Sequence, residues 1–223
     1  MSAAQWNPMI SHSASSGVFF VTLRLLDALP EHFNLAQGIQ FYSIQQKTRL
    51  SPTQKEAFFA HFRKRLFARF SALLDQQSYG LPLLANPDVA ALLQQEMYAL
   101  HGVEYRVLAH AILPNRVHIL LQFPDPVPDK VVLLEHNMLL FKPLRDFVRR
   151  FQAVTEKPLQ AARKACLQPL HAPVFEKKAT PGFPYESAGC WHPSTFDFWV
   201  PDEATFQKIA DYLGRRTPKS AVG

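Results

Sequence analysis

The sequence predicts an α+β fold, an antiparallel sheet with helices packed against it. Three observations carry that expectation. Two strand-like segments, "EYRVLAHAIL" and "RVHILLQF", are separated only by a Pro-Asn turn, so they can pair in no way but antiparallel. Amphipathic helical segments lie on either side of that hairpin, and aromatic, β-branched segments stand near both ends of the chain. With 223 residues, 48% hydrophobic and 19% charged, the chain suits one domain with insertions.

The elements follow in order. "MSAAQWNPMISHSASSG" has no charged leader, apolar block and small-residue cleavage site, so 1–16 reads as a flexible tail and not a secretory signal. "GVFFVTLRLL" (17–26), rich in Val, Phe and Thr and closed by Leu29-Pro30, is the first strand. Residues 31–80 form a helical insertion. From Ser51, with Pro52 just inside, Phe58, Phe59, Phe62, Leu66, Phe67 and Phe70 recur at helical spacing, while Lys55, Arg63, Lys64, Arg65 and Arg69 make a solvated face. "NPDVAALLQQEMYALHG" (86–102) is a second helix, with Asn86 as its cap, Pro87 at its first position and Gly102 at its stop.

The hairpin comes next, 104–113 and 116–123. At its turn Pro114 presets one dihedral and Asn115 tolerates the left-handed region. A loop at 124–130 leads to a third helix near 131–157, in which Pro143 marks either a kink or the true start. Periodicity is then lost, and 158–190 reads as an irregular segment. "WHPSTFDFWV" (191–200) returns to strand character. Residues 201–216 close the domain as a helix with acids in its first turn and Arg215 and Arg216 at its end, matching the macrodipole; 217–223 is a tail. One domain over 17–216 of ferredoxin-like type accounts for this order.

Charge and composition bound the function. Lys plus Arg 24 against Asp plus Glu 18 gives +6, which suits a polyanionic partner. No run of about 18 apolar residues occurs, so no bilayer span is expected. Cys166 and Cys190 stand at no metal-ligand spacing and read as reduced thiols of a cytoplasmic protein.

On the second hairpin strand, alternation puts Val117, Ile119, Leu121 and Phe123 on one face and Arg116, His118, Leu120 and Gln122 on the other. A salt bridge beside a satisfied histidine explains the second face without any function. "GVFFVTLRLLDALP", "LLANPDVAALLQQEMYALHGVEYRVLAHAILPNRVHILLQF" and "FDFWVPDEATFQKIADYLGRRTPKSAVG" together suggest more. In order and spacing they resemble the REP-associated tyrosine transposases and their insertion-sequence relatives, single-tyrosine members of the HUH nuclease superfamily. The resemblance covers about half of the chain, 31–80 looks like the helical insert of one subgroup, and 158–190 matches nothing in the family.

The resemblance implies two histidines flanking one hydrophobic residue, which with a third ligand hold Mg or Mn at the scissile phosphate. It also implies a tyrosine on the following helix that attacks that phosphate. This chain departs from the pattern at each point. Pro114-Asn115-Arg116-Val117-His118 leaves His118 as the metal-ligand candidate beside an arginine, and a guanidinium repels a cation. Phe147 stands at the nucleophile's position, and one helical turn on Phe151 stands where relatives often supply a third ligand, with Gln152 one position off. Tyr185 is the alternative nucleophile, and Tyr212 matches a packing tyrosine of the family.

The resulting expectation is a DNA-binding protein, specific for hairpin or single-stranded DNA, with cleavage lost or impaired and no cofactor assigned. Asn115, Arg116, His118, Arg145, Arg149 and Arg150 are the candidate DNA contacts, with Arg116 as a phosphate clamp. One alternative is an active Mg- or Mn-dependent transposase that nicks and rejoins single strands through Tyr185. A second is a protein-interaction module presenting "FDFWV". The resemblance also implies a homodimer.

Overall fold

The computed structural model describes residues 17–29, 51, 65, 67–77, 79–124, 141–167, 189–193, 195–200 and 202–216. Strands β1 (Gly17–Arg24) and β3 (Arg116–Phe123) form the middle of the sheet, because their sequences tolerate burial on both sides. β1 is buried throughout, and β3 everywhere except Gln122. They pair antiparallel, with Thr22 opposite His118 and Arg24 opposite Arg116. β2 (Arg106–Leu113) meets β3 across the Pro114-Asn115 turn, and a register shift between Val107 and Ala109 interrupts its ladder. β4 (Phe196–Trp199) pairs with the other edge of β1. The order β2-β3-β1-β4, antiparallel throughout, is that of a ferredoxin-like βαββαβ sheet.

Helices cover both faces. α1 is helical at residue 65 and over 67–75; α2 is Pro87–Tyr98, α3 Lys142–Leu167 and α4 Glu203–Arg216. On one face Phe19, Val21 and Leu23 join Val117, Ile119 and Leu121 under Leu93 and Met97 of α2 and Leu144, Phe147 and Phe151 of α3. On the other, Val18, Phe20 and Leu120 meet Phe206, Ile209, Ala210 and Leu213 of α4, with Phe67 of α1 packed alongside. Each large apolar side chain so buried contributes roughly 1.5–3 kcal/mol. The alternation read along β3 is therefore the division between the two cores.

Local signals explain the boundaries. Asn86 caps α2, its Oδ1 accepting from the Asp88 and Val89 amides at 2.9 and 3.4 Å. The helix stops at Tyr98, four residues before Gly102, which has φ of +80°. Pro143 is the second residue of α3, so it marks a start and not a kink; the part of that predicted helix before 141 lies outside the described residues.

Three expectations need correction. α3 runs through Pro158 to Leu167, ten residues into the stretch expected to be irregular. The lost amide bond and ring clash are offset by tertiary burial. Leu159 and Thr155 are fully buried, Trp191 Nε1 donates to Thr155 Oγ1 at 2.8 Å from outside the helix, and Ala161, Ala162 and Ala165 favour the helix. The strand expected over 191–200 is short, because only 196–199 pairs regularly, although Trp191 makes an isolated bridge to Leu25. Asn115 does not use a left-handed backbone: among described non-glycine residues, positive φ occurs at Gln77. Its side chain is what the turn needs, as its partners show below.

The end of the presumed insertion is part of the main fold, since Phe70 and Leu74 of α1 belong to the larger core. Gly80 returns the chain with φ of +70°, and a Cβ there would stand 2.6 Å from the Asp27 side chain, so only glycine fits. Among the described residues no helix is long and apolar enough to cross a membrane.

Candidate functional site

Arg116 and His118 share the face covered by α4, as strand alternation requires, and there they touch each other. Arg116 is 1% exposed, so every donor of its guanidinium left unmatched would cost free energy. Nε donates to His118 Nε2 at 3.0 Å, Nη1 donates to Asn115 Oδ1 at 3.1 Å, and Nη2 donates to Asp75. Asn115 is fixed in turn, because its Nδ2 donates to the Leu74 carbonyl at 2.8 Å. The turn asparagine thus ties the hairpin to α1 and aims the arginine beside it.

These contacts settle the histidine's tautomer. An arginine Nε–H can only donate, so His118 Nε2 is the bare nitrogen and the proton is on Nδ1. Nδ1–H then donates to Thr22 Oγ1 at 2.8 Å, across the β1–β3 pair, and the Tyr212 hydroxyl donates to Nε2 at 3.2 Å. Phe20 stacks on the imidazole at 5.4 Å, and Phe67 and Tyr212 meet it edge-on. Burial pushes His118 well below its ordinary pKa, the charges of Arg116 and Arg216 add to that, and Asp75 only partly opposes it. His118 is neutral at working pH.

Arg216 completes the cluster from α4. Its Nη1 and Nη2 donate to Oδ1 and Oδ2 of Asp75 at 2.8 and 2.6 Å, a two-pronged fork, and its guanidinium lies over the Tyr212 ring at 5.3 Å. Burial alone would raise the Asp75 carboxyl. Hydrogen bonds from Arg216 and Arg116, with the charges of both, outweigh burial and hold it below its ordinary value.

This donor set does not fit a divalent cation. A metal would need the Nε2 lone pair, which two donors already occupy, and it would stand against a buried guanidinium. Among the described residues no group of three His, Cys, Asp or Glu side chains converges on a common point. Nor does the structure bring Phe147 to the pair. Phe147 is on the reverse side of the sheet, 2% exposed, edge-on to Tyr105 at 4.9 Å and stacked on Phe151 at 5.9 Å. Gln152 Nε2 donates to the His192 carbonyl, and Tyr185 lies outside the described residues.

No family model matches the chain, and no curated protein matches it. One solved structure similar to it is that of a proposed transposase from Deinococcus radiodurans R1, 12% identical, covering 95% of this chain and 96% of that one with a TM-score of 0.36. A score and identity that low carry no functional weight.

The remaining candidates are on α3. Arg150 is committed internally, donating to Glu104 at 2.8 Å and to the Tyr105 hydroxyl at 3.4 Å. Arg145 lies 3.8 Å from Asp146, and Arg149 is exposed. Sequence reasoning missed Thr22, Asp75 and Arg216 as members of the cluster and read Tyr212 as packing alone. Thr22 is ordinary strand chemistry and gave no signal, whereas Tyr212 and Arg216 stand one helical turn apart. Nothing local marks Asp75, which is 141 residues from Arg216.

Proposed function

We propose that this protein binds single-stranded or hairpin DNA on a transposase-like fold and does not cut it. The observation that carries the second half is the commitment of His118 Nε2 to Arg116 and Tyr212. With that lone pair taken, a metal would have to displace two donors from His118, and Phe147, at the family's nucleophile position, is in the opposite core.

The binding half is supported by charge on a long, rigid element. Lys142, Arg149, Lys157 and Lys164 are exposed on α3 at spacings of seven, eight and seven, which keeps them on one side of the helix. They span about 33 Å at 1.5 Å per residue. Arg145 borders the row, while Asp146 and Glu156 reduce its charge; Glu156 is turned to the Cys190 amide, from which it accepts at 2.6 Å. A basic row of this length suits the backbone of a nucleic-acid strand.

The test is a labelled hairpin with a single-stranded flank, incubated with and without magnesium or manganese and resolved on native and denaturing gels. The expected result is a retarded complex indifferent to the metal, no covalent adduct, and affinity falling with salt at a log–log slope of about −3, four single-strand phosphate contacts' worth. A manganese-dependent adduct that Tyr185→Phe abolishes would replace this reading with the active transposase. No retardation at low salt would leave the interaction module.

A further inference from the structure

We propose that Arg116 and Arg216 form a phosphate seat, and that the Asp75 carboxylate occupies it as an internal stand-in for the ligand. Two guanidinium groups from distant parts of the chain converge on one carboxylate, whose Oδ1 accepts from both and whose Oδ2 accepts from Arg216. Arginine forks receive carboxylate and phosphate in the same two-pronged way, so the groups that hold Asp75 would hold a phosphate. With His118 neutral, two positive charges face one negative charge. The cluster stays net positive even with Asp75 in place.

Each arginine keeps its aim without Asp75. Asn115 Oδ1 and His118 Nε2 fix Arg116, and the Tyr212 ring supports Arg216. The seat is thus preorganised, the condition under which exchanging one anion for another costs least. Asp75 itself is poorly placed by local rules. It ends α1, where the helix dipole opposes a negative charge, just before the chain turns out at Gln77 with φ of +48°. Its side chain and that of Arg216 are 33% and 34% exposed, so the outer half of the seat reaches solvent while Arg116 lines its floor. A rotamer change at Asp75 would free the donors of both arginines that now face its carboxylate.

For a nucleic-acid phosphate as the ligand, this inference rests on the DNA-binding reading; the seat itself does not. The test is Asp75→Asn, melted in sodium phosphate and in sodium chloride at equal ionic strength, then titrated with a short single-stranded oligonucleotide. Phosphate should raise the melting temperature of the variant by about 3 °C or more over chloride. The wild type should show only the smaller, general stabilisation that phosphate gives a folded chain, and Arg216→Ala added to Asp75→Asn should cut the response back to that level. Oligonucleotide binding about tenfold tighter in Asp75→Asn than in wild type identifies a backbone phosphate as the ligand. A response to inorganic phosphate alone identifies a free anion. A variant that folds only in phosphate supports the seat. One that responds no more than the wild type, or folds in neither salt, overturns it. Loss of wild-type hairpin binding with the phosphate response intact would sink the DNA reading and leave the seat standing.

Discussion

Phe147 and His118 are held on opposite sides of the same strand pair, and their surroundings differ in kind. Phe147 lies among Tyr105, Phe151 and the apolar face of β3, where contacts are numerous and each is replaceable. His118 lies among Thr22, Arg116, Tyr212 and Phe20, where each polar atom has a specific partner. The apolar face loses stability in proportion to the volume removed. The polar face loses it when one partner goes, because the other stays buried and unmatched.

The largest effect should come from the apolar side. Phe147→Ala should cost about 3–5 kcal/mol in chemical denaturation, the usual cost of emptying a buried phenylalanine site. Phe147→Tyr should produce no DNA adduct, since its hydroxyl would enter the core behind the sheet. An adduct on denaturing gels would show that α3 reaches the other face.

On the polar side, Asp75→Ala should cost about 3 kcal/mol, the low end for breaking a buried pair, because Asp75 is partly solvated. The loss should exceed that of Arg216→Ala, which leaves Arg116 still paired. Equal losses would mean that Arg116 does not depend on the carboxylate.

The third expectation concerns pH. The folded-state pKa of His118 is depressed, so its contribution is complete above the unfolded value near 6.5 and is lost as pH falls below it. Stability should decline by up to about 1.4 kcal/mol per pH unit for that one proton. His110, also lowered by burial, adds its own slope. The difference between wild type and His118→Gln across pH 5–6.5 isolates the His118 share, and parallel curves would mean that His118 titrates normally.

Thr22→Val should cost about 1–2 kcal/mol, as it removes the acceptor of Nδ1–H without changing volume. Arg149→Ala should change stability by less than about 0.5 kcal/mol while flattening the salt dependence of DNA binding by somewhat under one unit.

Much of the fold was legible because its signals are local. Asn86, Pro87 and Gly102 punctuate α2, and Pro114-Asn115 forces the hairpin. Alternation along "RVHILLQF" was enough to separate the two cores. The extent of α3 was not legible, because Pro158 signals a stop that Leu159 and Thr155 override through tertiary burial. The site was half visible. Arg116 beside His118 follows from strand geometry, but Asp75 and Arg216 arrive from helices far away in sequence, and no propensity records that meeting. The same gap explains why the burial of Asn115 and Arg116 was not foreseen: their partners Leu74 and Asp75 belong to a segment that looked like an insertion.

The most direct measurement is nitrogen-detected NMR of the His118 imidazole near pH 6, with and without magnesium. The expected spectrum is a neutral ring protonated at Nδ1, its bare Nε2 accepting hydrogen bonds, unchanged by the metal. A protonated imidazolium, the Nε2–H tautomer, or a shift of Nε2 on adding magnesium would contradict the closed site.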